Sequence, residues 1–230
     1  MDNSGFTGFL ESRGFVVADQ AQANYIQTAL SLASSLNLSY MDTLASVLGP
    51  RSQDREPLVA LIRGNLVRES LARQGYEFVA LSSGSYFSEI RNADLYLSPF
   101  RSDLNELEGL WLSTTAAVLL EEQEDLGLPF PSYDNRRRLI EYAFQALIEV
   151  SARPGPQFVF AHILAPHPPF VFTATGMAVD PPWPYHPGDG ESYGGTPAGY
   201  RLGYSQESSM SMIRCRRSSM QSLSRQKRLR

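Results

Sequence analysis

Phe158-Val159-Phe160-Ala161-His162-Ile163-Leu164-Ala165-Pro166-His167-Pro168-Pro169-Phe170 is the stretch that decides the fold. Its first seven residues form an apolar run rich in aromatic and β-branched side chains, the length of a buried strand and too short for a buried helix. Pro166, Pro168 and Pro169 then oppose both helix and sheet pairing, which places His167 on a stiff loop just past the carboxyl end of the strand. Ligands of open α/β sheets bind at that edge. A histidine there suits an anionic group or a proton transfer. His162 lies within the run, five residues earlier; on a strand the two would face opposite ways, so they are not a chelating pair, and His162 reads as a hydrogen-bonded structural histidine.

Outward from this stretch, helical and strand patterns alternate. Ser4 to Gly14 reads as a short helix capped by Ser4, and Phe15 to Ala18 as a strand. Thr28 to Leu38 is a helix of Ala, Leu and Ser. Arg55 to Arg73 shows an apolar stripe at Leu58, Leu61, Ile62, Leu66 and Leu71. Tyr76 to Leu81 is the next strand. Asp103 to Leu120 and Asn135 to Ala152 are further helices. The pattern predicts an α/β fold with a mainly parallel sheet flanked by helices, its strands near 15–18, 76–81 and 158–164. Thr173 to Tyr200, dense in Pro, Gly, Tyr and Trp, reads as a long surface loop.

The chain has 230 residues, 43% of them hydrophobic, enough for one sizeable domain. No window reaches the roughly 18 apolar residues of a membrane span, and the amino terminus shows no secretory signal, so the chain as encoded reads as cytoplasmic. Cys215 is the only cysteine, which excludes an internal disulfide and a cysteine-based zinc cluster. The net charge of −4 is unevenly spread. From Ser205 onward there are seven Lys/Arg, one acid and eight serines, against thirteen arginines and twenty-three acids before it. This shift predicts a domain over 2–204 and a disordered Ser/Arg-rich tail over 205–230, with the composition of an out-of-frame translation.

Three segments carry a family resemblance: Asn24 to Asn37 (Asn-Tyr-Ile-Gln-Thr-Ala-Leu-Ser-Leu-Ala-Ser-Ser-Leu-Asn), Gly84 to Asp94, and the His-x-x-x-x-His-Pro-Pro-Phe loop at 162–170. In this order they resemble the bacterial sulfatase-like hydrolase/transferase family of the alkaline-phosphatase-like superfamily, over about residues 2–204. The resemblance implies a metal-dependent hydrolysis or transfer of a sulfate or phosphate ester group. It makes Thr28 the nucleophile, with Ser31 at the spacing of the serine that follows it, and His167 the residue touching the anionic oxygens of the substrate. It also implies a divalent metal in full-length relatives, which are commonly membrane-anchored with an extracytoplasmic catalytic domain. The acidic ligand of a first strand and a Gly-Asp-His-Gly-like strand end have no counterpart in this sequence. The expectation is therefore a partial domain, truncated at both ends, with no metal bound and no activity; the competing class is a non-catalytic interaction domain or remnant with a basic tail.

Plainer readings accompany these. Thr28 also suits a helix N-cap. His186 reads as a loop histidine. Glu121 to Asp125 reads as a solvated helix end, and Arg136-Arg137-Arg138 as a helix start facing solvent or an acidic neighbour. The basic tail lacks interleaved aromatics, so no specific nucleic-acid partner is implied. Substrate identity and oligomeric state are not encoded legibly.

Overall fold

The computed structural model describes residues 2–49, 51–100, 111, 114, 131–186 and 192–226. The predicted helix at 103–120, except Trp111 and Thr114, and the acidic run at 121–125 lie outside them. The chain divides into two compact units, one of residues 19–97 and 154–162, the other of 1–18, 98–153 and 163–230.

The first unit holds α2 (Thr28–Asn37), α3 (Asp42–Leu48), α4 (Glu56–Arg63), α5 (Leu66–Ala72) and strands β1 (Glu77–Leu81), β2 (Leu95–Leu97) and β3 (Gln157–Phe160). The strands form a parallel sheet in the order β2-β1-β3. The architecture is α/β, a small open parallel sheet with helices against it. As the middle strand, β1 buries Phe78 to Leu81 on both faces, which explains why its sequence is continuously apolar and does not alternate. On one face Phe78, Ala80 and Phe160 join Ala29 and Ala33 of α2, Leu58 and Ile62 of α4, and Met41 and Ile90 in a single core. Asp94 accepts a 2.8 Å hydrogen bond from the Phe78 amide, fixing where β1 starts.

Three expectations for this unit change. The predicted single helix over 55–73 is two helices, parted at Gly64-Asn65. Asn65, fully buried, caps α5 by accepting from the Arg68 amide at 2.8 Å and donates to the Ile62 carbonyl at 2.8 Å. That side chain offers the backbone a better partner than a continued helix does. The strand predicted over 158–164 ends at Phe160, where its ladder with β1 stops at the Ala80–Phe160 pair. β2, three residues long, was not foreseen.

The second unit contains α1 (Ser4–Glu11), α6 (Tyr133–Val150) and α7 (Pro197–Gln226). Phe15 to Ala18 forms no strand, with Phe15 48% and Val16 97% exposed. Apolar composition alone does not make a strand where no ladder partner is reached. Ile140 and Phe144 of α6 pack with Val171, Phe172 and Met210. The predicted boundary at 204/205 falls inside α7, and residues 205–226 are helical where a disordered tail was expected. The physical reason is a stripe at helical spacing, Gly203, Glu207, Met210, Arg214 and Ser218. Glu207, Met210 and Ser218 are buried, Arg214 pairs with Glu141 at 3.1 Å, and the Ser218 hydroxyl donates to the Phe144 carbonyl at 3.3 Å. This inward face is built from small and polar residues, so it escapes a hydrophobicity count.

Candidate functional site at the carboxyl edge of the sheet

Parallel strands all end on one side of a sheet, and the segments leaving those ends meet there. The segment leaving β1, Ser82 to Ile90, makes a tight turn that folds Glu89 back beneath it. Glu89 is 6% exposed, and its Oε2 accepts from the Ser83 amide, the Gly84 amide and the Ser83 hydroxyl, each at 3.1 Å. The Tyr96 hydroxyl, from β2, donates to Oε1. Burial first, and the Glu89 charge second, push the Tyr96 phenol up to about 12, so it keeps its proton and remains a donor. The Ser88 hydroxyl, fully buried, donates to Ser83 Oγ at 3.0 Å. From the segment leaving β3, His162 Nδ1 lies 2.6 Å from Ser88 Oγ. A hydrogen-bonded chain thus runs from a half-buried imidazole to a buried carboxylate, across all three strand ends.

Thr28, in the same unit, is the first residue of α2 and is exposed. The N-cap position belongs to Gln27, whose backbone is extended and whose side chain makes no capping bond; the plainer reading of Thr28 as the cap is not what the helix adopts. Ser31 is half-buried and its amide donates to the Gln27 carbonyl at 2.9 Å. Beside this helix start opens a groove of about 660 Å³, with Leu30, Met41 and Leu44 on its floor and Gln27, Asp54 and Arg55 at its rim.

His167 belongs to the other unit. It is half-buried, and its Nδ1 lies 2.7 Å from the Pro168 carbonyl, an acceptor, so Nδ1 carries a proton. The loop around it is held from α6: the buried Arg136 guanidinium donates to the Leu164 carbonyl and, at 2.8 Å, to the His167 carbonyl. Of the three arginines expected to face solvent or an acidic neighbour, Arg136 is buried, Arg137 pairs with Asp134 and Asp180, and Arg138 is exposed and stacks over Phe100. His186 is exposed.

Among the described residues no three His, Cys, Asp or Glu side chains are grouped to hold a metal ion. No described helix is long and apolar enough to cross a membrane. Comparison with family models, curated proteins and solved structures returns no match.

Proposed function

We propose that this chain carries a sulfatase-like domain of the alkaline-phosphatase-like superfamily, in which Thr28 stands in the place of the nucleophile toward a sulfate or phosphate ester. The observation that supports this most directly is the position of Thr28: exposed, on the first residue of a ten-residue helix, beside an open groove. The amides of a helix's first turn point outward without intrahelical partners and favour an anion.

The described residues do not fit the divalent metal that the resemblance implies, since no ligand cluster is present among them. The chemistry proposed for this chain is engagement of the anion by Thr28 and the amides of the first turn of α2.

Titrating the labelled chain with inorganic phosphate tests this. Shifts confined to the backbone amides of Thr28, Ala29 and Leu30 are expected, with no hydrolysis of an aryl sulfate or aryl phosphodiester when manganese or zinc is added. Phosphate that leaves those amides unmoved refutes the Thr28 placement. Metal-dependent turnover that disappears in Thr28→Ala refutes the inactivity and keeps the placement.

A further inference from the structure

The last third of α7 carries charge that the fold around it leaves unbalanced. From Ser208 to Arg230 the sequence has seven Lys/Arg and no acid. Arg214 pairs with Glu141. Arg216 and Arg217 are exposed, and among the described residues no carboxylate lies within ion-pair distance of either. The Arg216 guanidinium instead lies over the Phe9 ring of α1, 4.7 Å from its centroid, and that of Arg13 lies over the same ring at 5.5 Å. Arg13 is exposed and equally without an acidic partner among the described residues. Two like charges thus meet at one ring, an arrangement that a counter-anion relieves. The apolar side chains around them are uncovered as well. α1 buries none of its residues fully, so Phe6, Phe9 and Leu10 stay half-exposed. The Phe15 amide donates to the Leu10 carbonyl at 3.1 Å, which holds Phe15 and Val16, both exposed, at the end of that helix. On α7 the exposed Leu202, Ile213 and Met220 recur close to whole numbers of helical turns, and so share one face, flanked by Arg216 and Arg217.

We propose that the end of α1 and the outer face of α7 dock on an anionic lipid surface, with the arginines on headgroup phosphates and the apolar side chains at the boundary with the acyl chains. Charge complementarity makes the partner anionic. The apolar component selects lipid over nucleic acid. A nucleic-acid groove sets free aromatic faces between its cations, on which bases stack. Here the Phe9 ring is already engaged by guanidinium groups, and the exposed side chains beside it are mostly aliphatic: Val16, Ile213 and Met220. Such side chains gain by leaving water for an apolar boundary and gain nothing on a phosphodiester backbone. Exposed apolar groups rimmed by polar ones are the usual mark of such contacts. The docking is peripheral, since no described helix is long and apolar enough to cross a membrane. Thr28 has no part in it and belongs to the other unit.

The test floats the full chain with vesicles of phosphatidylcholine, alone or mixed with phosphatidylglycerol; flotation separates bound protein from aggregate. Recovery with the mixed vesicles and not with the neutral ones is expected, and it should fall as salt rises from about 0.1 to 1 M and the Debye length shrinks from about 10 to 3 Å. No flotation on anionic vesicles, equal flotation on both kinds, or binding indifferent to salt overturns the proposal without any variant. A basic side chain near an anionic surface is worth about fivefold in partitioning, so joint replacement by Arg13→Gln, Arg216→Gln and Arg217→Gln should weaken binding about 100-fold. Val16→Ser with Ile213→Ser should weaken it about tenfold or more with every charge in place. All five positions are exposed, and unchanged urea midpoints establish that the variants fold. Unchanged vesicle binding in the folded serine variant overturns the proposal, because the contact is then purely electrostatic, as it is if poly(U) binds the unmodified chain and the serine variant equally and displaces the vesicles. Thr28→Ala should float like the unmodified chain; its failure to float would assign the vesicle contact to α2 and overturn the docking face, which keeps this test distinct from that of the Thr28 reading.

Discussion

Replacing Glu207 by glutamine should abolish a pH dependence of stability that this one side chain creates. Glu207 is wholly buried on α7. Its Oε1 accepts from the amides of Val171 and Phe172, the segment that follows the His167 loop, while Oε2 has no hydrogen-bond partner. Burial raises its pKa; the two amides and the Arg136 charge oppose this incompletely, and the group is left at about 7 against an ordinary 4.5. The sign follows from proton counting. Between pH 4.5 and 7 the folded state holds a proton that the unfolded state has released, so folding stability is fullest below 4.5 and falls as pH rises through 7. The gap corresponds to about 3 kcal/mol lost above pH 7, a sizeable share of a typical domain stability of roughly 5–15 kcal/mol. Glutamine keeps an oxygen for the two amides and cannot ionise, and its amide group occupies the place of the unpartnered oxygen. Near pH 4 the two proteins should therefore have closely similar stability, and near pH 8 the variant should be more stable by about 3 kcal/mol. Urea unfolding followed by Trp183 fluorescence across this range measures both curves. Trp183 is suited to the purpose because it packs edge-on against Tyr193, 5.7 Å away, in the same unit as Glu207. Parallel curves for the two proteins would refute the reasoning.

Asn65→Ala removes the cap of α5 and the donor to the Ile62 carbonyl; a loss of about 1–2 kcal/mol is expected in urea unfolding. Gly203→Ala introduces a Cβ that would stand 2.2 Å from Phe170 Cδ2, so despite the better helix propensity of alanine it should cost about 1–3 kcal/mol. Gly8→Ala in α1, where an added Cβ meets nothing within 4 Å, should instead stabilise by roughly 1 kcal/mol. Thermal unfolding of these two variants side by side tests whether packing or propensity governs each position.

The α/β character was readable because β1 and β3 are apolar runs set between amphipathic helices, and α2 and α6 fall close to where their periodicity puts them. The failures have separate causes. Phe15 to Ala18 has strand composition but finds no ladder, and pairing is a property of two segments. β2 is too short, and at the edge of the sheet too little buried, to leave a pattern. Asn65 divides a continuous apolar stripe because it bonds backbone on both sides of itself, which the stripe does not register. The helix α7 was hidden by its own chemistry: an inward face of Gly203, Glu207 and Ser218 looks like a polar linker until its spacing is compared with the helical turn.

The candidate site was legible in part for a more general reason. Thr28 and His167 are visible because they are punctuated locally, one by a helix start and the other by prolines. The Glu89 network is not, because its decisive contact joins Ser88 to His162 across 74 positions of sequence, and its members are residue types ordinary in any loop. Two buried glutamates in this chain show what the environment adds. Glu89 receives donors on both oxygens. Glu207 has donors on one oxygen only, and burial makes it a titrating group near neutrality. The difference lies in the number of donors the surrounding backbone and hydroxyls supply, which the fold determines and the local sequence does not reveal. A carboxylate with donors on both oxygens anchors the turn that folds around it, whereas a half-satisfied one couples the packing of its helix to pH.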